Sequence, residues 1–245
     1  MEDKAYKLLA EQLQISGKRA KELIDRGLVY VADRKVKIAR AIMSDDTKFR
    51  VELPSKVDKI YEDSDILVVN KPAFLDVYEI EAMFNNAKLI HRLDRETTGV
   101  LLLAKNEDFL KKAVESFRNR KVIKRYIAWV EGVVYEDIII NSPIWSVNRG
   151  GKIVSKIDAK RGKEAITIVK PNMVQGKKSK VDLEIKTGRT HQIRLHLSSV
   201  GHPIVGDEQY GSVTQSKRIL LHASEIELFG RKFIAKEPKD IARYK

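Results

Sequence analysis

The sequence predicts an α+β protein in which a small α/β domain precedes a larger domain built on a mixed, largely antiparallel sheet. Three observations predict this class. The first part of the chain has two amphipathic helical patterns followed by short strand patterns. Beyond residue 60, β-rich segments are interrupted by helical ones without strict alternation, which disfavours a doubly wound parallel sheet. The hydrophobic content of 43%, with 6 Pro and 13 Gly, indicates a folded chain with a sizeable core.

The predicted small domain covers residues 1–53. Ser16 is typical of a helix N-cap and Gly27 of a helix end, so these two residues bracket the second helix. Short strands are predicted at 29–31 and 49–53, and Pro54–Lys56 forms a linker. The first helix is predicted from the spacing of Ala5, Leu8, Leu9 and Leu13, and the second has Ala20, Leu23 and Ile24 on one side with Lys18, Arg19, Lys21 and Arg26 exposed on the other.

The predicted larger domain covers residues 57–245. Its strand patterns are short runs of apolar and β-branched residues, at 66–69, 100–104, 126–130, 166–169 and 181–185. A helix is predicted over 108–119, with Phe109, Ala113, Val114 and Phe117 turned inward.

Composition restricts the classes of function. The chain has 47 Lys+Arg against 34 Asp+Glu, a formal net charge of +13, which indicates a polyanionic partner, with nucleic acid first. The absence of cysteine excludes disulfides and thiolate nucleophiles. The charged start of the chain does not resemble a secretory signal, and no apolar run approaches the roughly 18 residues of a membrane helix. We therefore expect a cytoplasmic protein with no membrane partner, and a monomer.

Two segments carry the candidate chemistry. In the first, His91–Lys105, Asp94 lies immediately before a buried strand, where a loop can hold a carboxylate at a cleft. Such a carboxylate reacts only when it is ionised and oriented, so it needs a cationic partner. In the second segment, Lys186–His196, a strand would place Arg194 and Gln192 on one polar face, from which Arg194 can bind the aspartate with two hydrogen bonds.

The histidines are candidate metal ligands. His191 and His196 would lie on opposite faces of a strand, and no cysteine or carboxylate pattern completes a ligand set. We expect no metal and no cofactor.

Residues 9–42 resemble the S4 domain, a small RNA-binding module. The usual Arg-Leu-Asp opening of that module is replaced here by Lys4-Ala5-Tyr6. The alternative is a plain helical cap whose charged face is only solvated.

The patterns HRLDRxTxG and GRTHQIRxH, together with Asn70–Pro72 and Lys124–Gly132, strongly resemble the RluA-type pseudouridine synthases over nearly the whole chain after residue 56. The resemblance implies the pseudouridine synthase fold, with Asp94 as the nucleophile, Tyr126 stacked on the target base and Arg194 paired with Asp94. It also implies a substrate pocket formed by His91, Arg92, Leu93, Arg95, Thr98, Gly99, Gly188, Arg189, His191, Gln192, Leu220 and Leu221. Basic residues expected to bind RNA are Lys18, Arg19, Lys21, Arg26, Lys124 and Arg125.

The implied reaction converts a uridine of RNA to pseudouridine without a redox step or a metal. Asp94 can attack ribose C1′ or deprotonate the neighbouring carbon to give a glycal, and both routes are open at this point. The target base has to be single-stranded or flipped out of a duplex. Large-subunit ribosomal RNA is the expected substrate, with transfer RNA as the alternative. A noncatalytic RNA-binding or ribosome-assembly protein of the same fold is the competing hypothesis.

Overall fold

The computed structural model describes residues 1–32, 34–149 and 152–244. The chain forms two compact units, Met1–Ser55 and Lys56–Lys245. Within the described residues, no helix combines the length and apolar character needed to span a membrane.

The N-terminal unit has two helices and two small antiparallel sheets. Ser16 caps the second helix by accepting a hydrogen bond from the Arg19 amide at 3.2 Å, and Gly27 has a left-handed φ of 73° just after that helix ends, as predicted. The strands pair in the orders β1-β4 and β3-β2-β5. The elements are β1 (Glu2–Lys4), α1 (Ala5–Leu13), α2 (Gly17–Asp25), β2 (Val29–Val31), β3 (Arg34–Lys35), β4 (Ile42–Ser44) and β5 (Phe49–Val51).

The larger unit is built on one long sheet with helices beside it. Its elements are β6 (Asp58–Glu62), β7 (Ile66–Lys71), α3 (Val77–Met83), β8 (Lys88–Leu89), β9 (Thr98–Ala104), α4 (Glu107–Arg118), β10 (Ile123–Glu131), β11 (Ile138–Asn141), β12 (Ile144–Arg149), β13 (Lys152–Ile157), β14 (Ile166–Gln175), β15 (Lys178–Ile185), α5 (Gln192–Ser199), β16 (Leu221–Leu228), β17 (Arg231–Ile234) and α6 (Lys239–Ala242).

The main sheet has the strand order β11-β14-β15-β10-β16-β9-β7-β6, with β17 added to β16 and β8 to β9. Its strand pairs are antiparallel except β16 with β9, which run parallel where His222 faces Thr98. The predicted class, α+β with a mixed and largely antiparallel sheet, is confirmed.

Two apolar clusters cover the two faces of the sheet. Successive residues of β7 alternate between them, with Leu67 in one cluster and Val68 in the other. Strand β9 is buried along its whole length for the same reason. Burial on both faces explains why these strands are continuous apolar runs rather than alternating ones. The rigid centre of the sheet supports the loop that precedes β9.

Two local predictions are wrong. Residues 192–196 form the start of helix α5 rather than a strand, because His191 adopts a left-handed φ of 56° and Ile193 and Leu197, four residues apart, are both buried. Val114 on α4 is 37% exposed, whereas Ala113 is buried as predicted.

Candidate active site

A pocket in the larger unit lies where the loop before β9, the strand β10, the start of α5 and the start of β16 come together. Its lining residues come from sequence positions far apart: Arg92, Leu93, Asp94, Thr97, Tyr126, Ile185, Gly188, Arg189, Thr190, His191, Gln192, Ile193, Arg194 and Leu221. The three residues predicted to be catalytic therefore line one pocket.

Asp94 and Arg194 are in contact. One Arg194 terminal nitrogen (NH1) donates a hydrogen bond to Asp94 Oδ2 at 3.3 Å. The Asp94 side chain is 24% exposed while that of Arg194 is 7% exposed, so the carboxylate faces the pocket and the guanidinium lies behind it. Arg194 is on α5 rather than on a strand, and it contacts Asp94 as predicted but through one hydrogen bond instead of the predicted two.

Arg194 has a second carboxylate partner that the sequence did not indicate. Asp207 accepts hydrogen bonds from Arg194 Nε at 2.6 Å and from the other terminal nitrogen, NH2, at 2.9 Å. Gln209 Oε1 accepts a further hydrogen bond from NH2 at 3.1 Å. Burial alone lowers the pKa of Arg194, but the hydrogen bond and charge of Asp207 outweigh it and raise that pKa above its ordinary value.

Tyr126 lies on β10, between Leu183 of β15 and Ala223 of β16. Its side chain lines the pocket and is 8% exposed. Burial, with a smaller effect of the Asp94 charge, raises the pKa of the phenol well above its usual range. At neutral pH the ring is therefore an uncharged surface beside Asp94.

His191 also lines the pocket, beside the Asp94–Arg194 pair. Its Nε2 lies 3.8 Å from Asp94 Oδ2, and its Nδ1 shares a hydrogen bond of 2.8 Å with the Tyr210 hydroxyl. Burial lowers the pKa of His191 despite the nearby Asp94, so the imidazole is neutral at neutral pH. Its left-handed backbone is a strained conformation for a residue other than glycine.

Several predicted pocket residues lie elsewhere. The His91 ring stacks on Phe117 at 5.1 Å, its Nε2 accepts a hydrogen bond from the Leu102 amide, and burial lowers its pKa to about 4. Leu220 packs with Trp129 in a separate apolar cluster. Thr98, Gly99 and Arg95 also lie outside the pocket lining.

Each of these last three has a different environment. The Thr98 hydroxyl bonds to His222 Nδ1 at 2.9 Å, and Gly99 is pressed against the Ala223 backbone. Arg95 is exposed, and its carbonyl accepts a hydrogen bond from the buried Lys71. These three residues therefore make their contacts beside the pocket rather than lining it. The predicted residues that do line the pocket are Arg92, Leu93, Gly188, Arg189, His191, Gln192 and Leu221.

Sequence reasoning missed part of the pocket. It did not single out Thr97, Thr190 or Ile193, which lie inside the two motifs, nor Ile185 at the end of β15. The position of the first three inside the motifs could have identified them as pocket residues. Nothing in the sequence marks Ile185, because its place in the pocket depends on the pairing of β15 with β10.

The residues predicted to bind RNA differ in their surroundings. Lys124 is only 6% exposed, with its Nζ 3.4 Å from the Thr187 carbonyl, and Arg125 pairs with Glu225 and Glu184. Lys124 is therefore poorly placed to contact a phosphate, whereas Arg125, whose side chain is 41% exposed, remains a predicted RNA contact. Lys18 and Arg19 are exposed on α2, Arg19 also pairs with Glu22 at 2.8 Å, Lys21 lies 4.2 Å from the centre of the Tyr6 ring, and Arg26 is 15% exposed.

Among the residues described, no three His, Asp or Glu side chains are grouped so that they could hold an ion.

Comparison with known proteins identifies the family. Residues 65–199 match the family model described as RNA pseudouridylate synthase. The chain is 45% identical over 240 residues to an uncharacterized RNA pseudouridine synthase of Helicobacter pylori (strain J99), covering 97% of this chain and 98% of the relative. It is 32% identical over 250 residues to ribosomal large subunit pseudouridine synthase C of Buchnera aphidicola (subsp. Baizongia pistaciae), covering 89% and 78%.

A solved structure agrees with these relatives. Human RNA pseudouridylate synthase domain containing 1 matches with a TM-score of 0.64 and 28% identity, over 76% of this chain and 84% of the human one. The matched family region contains Asp94, Tyr126 and Arg194.

Proposed function

Because the chain belongs to the RNA pseudouridine synthase family, whose members isomerise uridine in RNA, we propose that its substrate is large-subunit ribosomal RNA and that Asp94 is its catalytic carboxylate. The observation that carries the second part is the Asp94 side chain, turned to the pocket and backed by Arg194 at 3.3 Å. A buried guanidinium fixes the direction of the carboxylate that it contacts, as nucleophilic or basic attack requires.

The reaction breaks the bond between N1 and ribose C1′, joins C5 to C1′, moves a proton off C5 and leaves one on N1. Asp94 begins it at the sugar, either by attacking C1′ or by taking the proton of the neighbouring carbon to give a glycal. Arg194 holds the carboxylate in position until the sugar is in place. The detached base stays within the pocket while it turns.

Tyr126 is proposed as the surface on which the base stacks. A base on an aromatic ring gains about 1–3 kcal/mol. Because burial holds the phenol in its protonated form, Tyr126 supports the base by contact and by its hydroxyl, and a phenolate plays no part in the resting pocket. The pocket lies below the surface, so the target nucleotide is single-stranded or flipped out when it binds.

The choice of ribosomal RNA is supported by the Buchnera relative, whose name places its substrate in the large ribosomal subunit. The high positive charge of the chain fits any RNA, and it supplies affinity more than sequence choice.

The N-terminal unit, Met1–Ser55, is proposed as an S4-like RNA-binding module. Its support is the sequence resemblance over residues 9–42 and the exposed Lys18 and Arg19 on α2. Their positive charges suit contacts to phosphates.

The substrate is tested by mapping pseudouridines in total RNA from cells with the gene, without it, and with the gene carrying Asp94→Asn. We expect one or more large-subunit positions to lose pseudouridine without the gene and to regain it with the wild-type gene only. Loss confined to transfer RNA would replace the proposed substrate. No change in any RNA, together with tight RNA binding in vitro, would favour a noncatalytic binder.

A further inference from the structure

The tightest partner of Arg194 is Asp207, not Asp94. Asp207 receives two hydrogen bonds, from Nε at 2.6 Å and from NH2 at 2.9 Å, whereas Asp94 receives one, from NH1 at 3.3 Å. A two-pronged contact fixes the plane of the guanidinium as well as its position. Asp207, which holds the Nε and NH2 side of the guanidinium, therefore sets the direction in which NH1 points toward Asp94 on the other side.

Two residues of the turn after Asp207 also contact the Arg194 guanidinium. Gln209 Oε1 accepts from NH2 at 3.1 Å, and the Tyr210 ring lies 4.8 Å from the guanidinium carbon of Arg194. Contact with the face of an aromatic ring adds a further favourable interaction for the cation. The Arg194 guanidinium is therefore fixed in orientation by Asp207 and contacted on one face by Tyr210 before any substrate binds.

Asp207 is itself fixed by the backbone. Its side chain is 1% exposed, its amide donates to the Ile204 carbonyl at 2.9 Å, and its carbonyl accepts from the amides of Tyr210 at 3.1 Å and Ser212 at 3.0 Å. The preceding Gly206 has a left-handed φ of 84°, and a Cβ there would lie 2.3 Å from the Arg218 carbonyl oxygen. Only glycine fits this turn, so the turn holds the carboxylate in one place.

Asp207 and Asp94 share the positive charge of Arg194 unequally. Two carboxylates share one guanidinium, and the buried one, Asp207, makes the closer contact. Asp207 offsets the free-energy cost of burying the Arg194 charge. Asp94 would offset that cost poorly by itself, because it is partly exposed and makes a single, longer hydrogen bond. Asp94 is then free to leave Arg194 for the ribose without stranding a buried cation.

We propose that Asp207 is a positioning residue for the isomerisation: it holds Arg194 so that a single N–H group faces Asp94 and aims that carboxylate at the sugar. This inference rests on the proposed function, because it assumes that Asp94 is the reacting group.

The first test is Asp207→Asn, which keeps the shape of the side chain and removes its charge. We expect kcat for pseudouridine formation to fall about 100-fold, the usual consequence of displacing a catalytic group by about 1 Å. KM for RNA should stay within about threefold, because the phosphate contacts are untouched. A kcat for the folded variant equal to that of the wild type would overturn the proposal.

The matched control is Asp158→Asn. Asp158 likewise accepts two hydrogen bonds from one arginine, Arg161, at 3.0 and 2.6 Å, but it lies after β13 and outside the pocket lining. Its replacement should leave kcat unchanged. An equal fall in kcat for both variants would mean that any loss of an ion pair has this effect, and it would overturn the proposal.

A second test separates positioning from a merely structural role, and it does not require the single variant to fold. If Asp207 acts only through Arg194, adding Asp207→Asn to Arg194→Met should lower kcat no further in single-turnover assays. The double variant should also resist urea better than Arg194→Met alone, because it no longer buries an unpaired carboxylate. A further fall in kcat in the double variant would overturn the proposal. Inactivity of the wild type on every RNA would instead refute the proposed function.

Discussion

At the scale of single residues, Lys71 links the strand β7 to the loop before β9. It is fully buried, and its Nζ donates hydrogen bonds of 2.9 Å to the carbonyls of Pro72 and Arg95, the residue after Asp94. Burial lowers the pKa of Lys71 to about 7, and the charges of Asp76 and Asp94 offset this only in part. A neutral amine still donates both bonds.

This pKa predicts a pH dependence of stability. Folded Lys71 loses its proton near pH 7, whereas the unfolded chain keeps it until about pH 10.5, so the unfolded state binds more protons in that window and stability rises with pH. Relative to Lys71→Met, the wild type should gain about 3 kcal/mol of unfolding free energy between about pH 7 and pH 9.5. Urea titrations of both proteins measure this difference, and a difference that does not change with pH would contradict the assignment.

The residues proposed to be catalytic are easier to predict from the sequence than the residues that hold them in place. Asp94, Tyr126 and Arg194 could be predicted because they lie in segments that resemble a known family. All three line one pocket. Asp207 was not predicted, since its contact with Arg194 depends on the turn that follows Gly206. The resemblance implied that His91 lies in the pocket, but its ring stacks on Phe117 of α4 instead.

At the scale of elements, the parallel pairing of β9 with β16 depends on Gly99. This residue has a φ of 118°, and a Cβ added there would lie 2.1 Å from the Ala223 carbonyl oxygen. The close approach of the two backbones sets the position of β9 and therefore of the loop before it. Gly99 serves the site through the sheet rather than by contact with substrate.

Gly99→Ala should therefore destabilise the protein by about 1–3 kcal/mol or more, because the added methyl group has no space and the backbone is unfavourable for alanine. The control is Gly176→Ala, where φ is also positive, at 58°, but nothing lies within 4 Å of the added atom. Thermal unfolding compares the two variants. Equal losses would show that backbone conformation alone, and not the contact with Ala223, limits position 99.

Helix and strand patterns were distinguishable where they were long. The apolar run of β9 and the amphipathic α4 were predicted, whereas residues 192–196 alternate polar and apolar side chains and suggested a strand. They form a helix because the turn at His191 starts one and because Leu197, beyond the alternating run, is buried on the same face as Ile193. Tertiary packing decided between two patterns that a short segment satisfies equally well.

At the scale of the whole molecule, the net charge of +13 predicts RNA binding that weakens as salt is raised. Each phosphate contact to single-stranded RNA contributes about 0.7 to the slope of log affinity against log salt. If the N-terminal unit binds RNA through Lys18 and Arg19, then Lys18→Ala with Arg19→Ala should reduce that slope by about 1.4. Filter binding at several salt concentrations measures it.

The control for this experiment is Lys7→Ala, since Lys7 is exposed in the same unit but lies on α1, outside the proposed RNA-binding face of α2. It should leave the slope nearly unchanged. A slope that does not change in the Lys18 and Arg19 variant would contradict the assignment of α2 as an RNA-binding face.

The most direct test of the account compares wild type with Asp94→Asn on ribosomal RNA carrying tritium at C5 of uridine. The wild type should release tritium as C5 joins the sugar, while the variant should release none and bind the RNA with the same Kd, since the phosphate contacts are intact. Tritium release by the variant at a rate near that of the wild type would contradict the central claim that Asp94 begins the reaction at the ribose.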